Sequence, residues 1–169
     1  LIPFYGLKEG IYDYEFEAGN DFFELFENPD IKGGNVKIKL TLNRRAQFLE
    51  FRFNITGSLT VSCDRCLEEF EFETETENEL IARFGEGFEE ISDTVIIIPR
   101  DETRFNIAQY IYEFSVLSLP VQKVHPVGED GLPGCNKEML RKLENLHPRE
   151  EEDNTDPRWD ALKNLKSKN

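Results

Sequence analysis

Between residues 35 and 63 apolar and polar side chains alternate almost without a break. Val36, Ile38, Leu40 and Leu42 alternate with Lys37, Lys39 and Thr41, and Leu49, Phe51, Phe53 and Ile55 alternate with Glu50, Arg52 and Asn54. Leu59 and Val61 carry the pattern past Gly57. A period of two places one set of side chains on each face of a strand, so the stretch predicts an antiparallel meander with one wet face. Phe70, Phe72, Thr74 and Thr76 against Glu69, Glu71, Glu73, Glu75 and Glu77 predict its third arm. Segment 9–19 reads as a further strand, 31–35 ("IKGGN") as a turn, and 93–100 ("DTVIIIPR") as a buried strand with a proline end.

Helical spacing appears in four places. Phe22, Phe23 and Phe26 predict a short helix within 20–30. Phe105, Ile107, Ala108, Ile111, Tyr112 and Leu119 predict a core helix over 103–118, stopped by Pro120. A loop over 121–134 leads to a short helix at 135–146 with Met139, Leu140 and Leu143 on one side. After a polar linker, 147–156, Asp156 caps a last helix, Pro157 occupies its first turn, and Trp159, Leu162 and Leu165 share a face. That face is a candidate docking surface for the body or a partner. The expected fold is α+β: one domain over 1–146 with an antiparallel, strongly curved, barrel-like sheet and a core helix, then the linker, then a C-terminal helix and tail over 157–169.

Fourteen phenylalanines and five tyrosines in 169 residues supply the large buried units such a core needs. The formal charge of −14 argues against a general binder of nucleic acid or anionic membranes. The charge is uneven, however. Residues 32–52 carry Lys32, Lys37, Lys39, Arg44, Arg45 and Arg52 against Glu50 alone, whereas 68–90 carry acids against Arg83 alone. Lys37, Lys39, Arg44 and Arg45 are therefore candidate RNA contacts, the plainer reading being a solvated strand face. No apolar run is long enough for a membrane span. No signal-peptide pattern appears and three cysteines fit a disulfide framework poorly, so the expected location is the cytoplasm.

Cys63 and Cys66 form a Cys-x-x-Cys pair between two strands. Thiolates at that spacing can share one zinc, and Cys135, His125 and His147 are the other soft side chains in the chain. Cys63, Cys66, Cys135 and His125 would complete a set of four. The plainer reading is two reduced cysteines at a corner with no cofactor. A redox pair is disfavoured, because it would sit at a helix start and not in a meander. No matched pair of titratable groups suggests acid/base catalysis.

"VSCDRCLEEFEFETE", "YIYEFSVLSLP", "CN" at 135–136 and "DPRWDALKNL", in this order, resemble the bacterial YceD family over about Val61 to Leu165. The resemblance implies a factor without enzymatic activity in accumulation or processing of large-subunit (23S) ribosomal RNA, or in ribosome assembly. The implied partner is ribosomal RNA or a pre-ribosomal particle. A first alternative is an acidic adaptor for a basic ribosomal protein such as L32. A second is a zinc- or thiol-dependent enzyme or sensor.

Overall fold

A computed structural model describes residues 1–26, 30–128 and 134–146. The chain divides into two units, Leu1–Cys135 and Asn136–Asn169. The predicted linker and C-terminal helix, with Trp159, Leu162 and Leu165, lie outside the described residues, as does His147.

The first unit is built on a six-stranded sheet of strand order β2-β3-β4-β5-β7-β6, from β2 (Gly10–Ala18), β3 (Ile31–Arg44), β4 (Phe48–Ser62), β5 (Glu69–Gly85), β6 (Glu89–Ser92) and β7 (Val95–Pro99). A separate pair joins β1 (Ile2–Pro3) to β8 (Arg104–Phe105). The helices are α1 (Asn20–Phe23) and α2 (Ala108–Leu117) in this unit, and α3 (Lys137–Leu146) in the second.

The alternating runs become β3, β4 and β5, and their apolar sets form one continuous inner face. Leu42, Phe51 and Leu80 make one rung of it, and Leu40 and Phe53 belong to the next. Helix α2 covers this face with Ile111 and Phe114, whose ring meets Phe53 edge-on at 5.2 Å. Phe105 stacks on Phe51 at 4.7 Å. Each such large side chain removed from water contributes on the order of 1.5–3 kcal/mol.

Three expectations are corrected. The sheet is open and is not a strongly curled barrel. Its outer strands β2 and β6 do not pair, and the registers of β2–β3 and β4–β5 run without a bulge that would bend them shut. The stretch 31–35 is strand and not turn. An extra residue shifts the β3–β4 register between Ile31 and Gly33, so the inward parity changes from Ile31 to Val36. The backbones of β3 and β4 approach closely there: a Cβ on Gly34 would stand 2.7 Å from the Ser58 carbonyl oxygen, and one on Gly57 would meet the Asn35 carbonyl and lie 2.8 Å from Val36 Cα. Glycine at these positions is a packing requirement and not a turn signal. The core helix begins at Ala108 and not at 103, because Arg104 and Phe105 pair with the first strand. Two features carried no sequence expectation: strand β6, and the parallel pairing of β7 with β5.

In the second unit, Asn136 Oδ1 accepts the backbone N–H groups of Glu138 (2.8 Å) and Met139 (3.2 Å), capping α3. Lys142 pairs with Glu138 one turn away at 3.3 Å. Met139 and Leu140 are half-buried and Leu143 is exposed.

Candidate metal centre and the charged ends of the sheet

The turn between β4 and β5 is a tight knuckle. Cys63 N–H donates to the Glu68 carbonyl (2.9 Å) and Leu67 N–H to the Cys63 carbonyl (2.9 Å). Leu67 adopts φ 63°, a left-handed conformation that costs a side-chain-bearing residue about 1–2 kcal/mol. The Arg65 backbone N–H points at Cys63 Sγ from 3.4 Å.

The loop after α2 is brought onto this knuckle. Asp64 N–H donates to the Lys123 carbonyl, Lys123 N–H donates to the Asp64 carboxylate, both at 2.6 Å, and Lys123 Nζ lies 3.1 Å from Asp30 Oδ1. Two residues on, the His125 ring packs against Phe70 at 4.7 Å. Gly134 N–H donates to the Pro126 carbonyl at 3.2 Å, which returns the chain to His125's side and sets Cys135 beside it. A Cβ on Gly134 would stand 3.3 Å from both His125 Cβ and the Pro126 carbonyl oxygen.

Cys63, Cys66, His125 and Cys135 thus meet, with all four ligand atoms within 4.8 Å of one another. Cys63 Sγ lies 3.8 Å from Cys135 Sγ, and Cys66 Sγ lies 3.5 Å from His125 Nδ1. The three thiols are buried and unbridged. Burial alone would raise the Cys63 pKa, but the backbone N–H groups of Cys66, Arg65 and His125 and the His125 side chain lower it from 9.0 to about 6. Burial and the neighbouring Cys63 and Cys66 thiols push Cys135 up to about 11. One sulfur is thus favoured as an anion, while its neighbour holds its proton.

The outer face of the sheet sorts the charges. Glu69, Glu71, Glu73, Glu75, Glu77 and Glu79 line the outer side of β5. Lys37 sits opposite Glu17, and Lys39 opposite Glu15, across the β2–β3 pair. The same two rungs end at Glu75 and Glu77 on β5. Both lysines are therefore flanked by carboxylates and are not a free basic patch.

The far end of the sheet, at the β3–β4 hairpin tip, differs. Arg44 and Arg45 occupy the tip, Arg83 pairs with Phe48 near the end of β5, and Arg100 follows β7, which runs parallel to β5 and ends at the same edge. Among the described residues none of these four arginines makes an ion pair. Arg44 Nε is buried and has no hydrogen-bond partner among the described residues. Ala46, Gln47, Phe48, Arg83, Phe84 and Arg100 line a concave site of about 610 Å³ in which no carboxylate takes part. Arg83 and Arg100 had no signal in the sequence: Arg83 stood alone among acids, and only strand direction places it beside the hairpin tip.

Among the described residues, no helix is long and apolar enough to cross a membrane. Neither the curated proteins nor the solved structures contain a match to this chain. A protein-family model described as "Large ribosomal RNA subunit accumulation protein YceD" matches residues 51–166, a span that holds Cys63, Cys66, His125 and Cys135 as well as Arg83 and Arg100. With more than half of its length matched, the chain belongs to the YceD family.

Proposed function

We propose that this protein is a non-enzymatic factor in the accumulation of large-subunit ribosomal RNA, acting by binding, and that it meets RNA through the arginine end of its sheet. The family description supplies the RNA. The observation that carries the contact is the grouping of Arg83 and Arg100 in a concave site free of carboxylates, beside Arg44 and Arg45, on a chain of charge −14. Guanidinium groups recognise phosphate oxygens in a planar, bidentate manner, and Phe48 and Phe84 offer ring surface for a splayed base. The acids elsewhere repel the RNA backbone, which confines contact to this end.

The test is RNA association of the full chain with large-subunit ribosomal RNA fragments across a salt series. Replacing Arg83 and Arg100 together with glutamate should weaken binding by about tenfold or more at low salt and flatten the salt dependence by about two phosphate contacts. Unchanged binding and an unchanged slope would refute the contact.

The row Glu69–Glu79 favours a second reading, the acidic adaptor for a basic ribosomal protein. A ladder of carboxylates along one strand face complements an extended basic segment. Under that reading, changing Glu73, Glu75 and Glu77 to lysine abolishes association with the protein partner, while the arginine changes leave it intact.

A further inference from the structure

We propose that Cys63, Cys66, His125 and Cys135 bind one zinc ion, and that this ion is a structural staple holding the loop after α2 to the β4–β5 knuckle. The argument begins with geometry. A tetrahedral zinc with sulfur ligands at ~2.3 Å and nitrogen at ~2.1 Å requires sulfur–sulfur edges of about 3.8 Å and sulfur–nitrogen edges of about 3.6 Å. The separations here are 3.8 Å for Cys63–Cys135 and 3.5 Å for Cys66–His125. With all four atoms inside 4.8 Å, the widest edge need close by at most about 1 Å.

Second, the surroundings match a metal knuckle more closely than a packed thiol cluster. The Arg65 N–H directed at Cys63 Sγ stabilises charge on sulfur, as a metal-bound thiolate needs. The tilted ring contact with Phe70 restricts the His125 ring, with Nδ1 directed at Cys66. Leu67's left-handed backbone turns the chain directly after the second knuckle cysteine. Strain of this kind persists where surrounding structure over-determines it.

Third, the donor set chooses the ion and its role. Three thiolates and an imidazole are soft ligands that suit zinc. Four protein ligands fill a tetrahedron and leave no position for water or substrate, which marks a structural site and excludes a catalytic one. The ligands come from two segments far apart in sequence, the knuckle and 125–135. Both segments belong to the first unit, Leu1–Cys135.

The experiment is metal analysis of the full chain purified without chelator, followed by removal and reloading. About one zinc per chain is expected, falling below about one-tenth in Cys63→Ser and in Cys135→Ser. Cobalt loaded in place of zinc should give thiolate-to-cobalt charge-transfer bands that fall below about one-tenth of their intensity in the Cys135→Ser protein. Removing the metal from the unmutated chain avoids any folding defect of the variants. It should raise proteolytic cleavage within 119–128 at least about tenfold while the sheet's circular dichroism stays intact. A chain that takes up no zinc from a chelator buffer of micromolar affinity overturns the proposal. So does zinc that survives loss of Cys63, or stoichiometric iron or copper in its place. An unchanged cleavage pattern after metal removal overturns the staple.

Discussion

The two ends of this sheet put polar groups together in opposite ways. At the knuckle, four side chains converge inward, three of them buried, and each is constrained by a bond or ring contact from its neighbours. At the hairpin tip, arginines converge around an open concavity and none has an ion-pair partner among the described residues. The first arrangement brings four donor atoms within 4.8 Å of one another, and any selectivity it has lies in distances of a few ångströms. The second gathers positive charge around a concavity lined by no carboxylate, and any selectivity it has lies in the sign of that charge against an acidic background. Under the two proposals, geometry would select the ligand at one end and electrostatics at the other, a resident ion at the first and a passing macromolecule at the second.

The comparison breaks first if the two ends do not share one rigid sheet. Gly57 lies on β4 between them, against the backbone of Asn35 and Val36. Gly57→Ala should cost about 3 kcal/mol or more in chemical denaturation and impair both zinc retention and RNA binding, because no backbone atom there can yield cheaply. Loss of one function alone would show that the ends are held independently.

Crossed variants give the next largest effect. Cys135→Ser should abolish zinc binding and leave RNA affinity within about twofold, whereas Arg83→Glu with Arg100→Glu should do the reverse at about tenfold in RNA affinity. Coupling in either direction would merge two sites into one.

The smallest effect is a difference in pH response, best measured on the metal-free chain. Arginine stays charged throughout, so RNA binding through the tip should be flat between about pH 6 and 9. The cysteine end titrates. Cys63, depressed from 9.0 to about 6, contributes stability that is fully present above pH 9 and is lost as pH falls through about 6. Cys135, raised to about 11, contributes stability that is present below 9 and is lost as pH rises through 11. Denaturation midpoints should therefore climb from pH 6 to 9 and fall from 9 to 11. A flat profile would place both thiols in ordinary surroundings.

The sequence displayed one end better than the other. Cysteine and histidine are few enough that Cys63, Cys66, His125 and Cys135 could be named together by type, although nothing in their spacing showed that the Gly134 N–H meets the Pro126 carbonyl and sets Cys135 beside His125. Arginines are common, and their meaning depends on register. Lys37 and Lys39 looked basic along the chain and prove to face Glu17 and Glu15 across it, while Arg83 looked isolated and lies beside the hairpin tip. The long strands were legible because one face is wet and the period of two is clean. The bulge at Lys32 and the parallel β7 were not, since each is decided by a partner strand and not by local pattern. The barrel expectation failed for the same reason: alternation specifies a face, and closure depends on what the outermost strands meet.

The position of β7 has a consequence for assembly. The chain leaves β5, runs back as β6 at the sheet's margin, and then inserts β7 between the two. Strands β2 to β5 can zip up hairpin by hairpin as they are synthesised, each pairing with its predecessor. The β6–β7 hairpin must instead dock as a preformed piece, with the parallel β7 edge seeking Ile81 to Gly85. Its contacts form late, so weakening them should speed unfolding more than it slows folding. The arginine end, which borrows Arg100 from the end of β7, is therefore completed after the β2–β5 meander that carries the knuckle has closed.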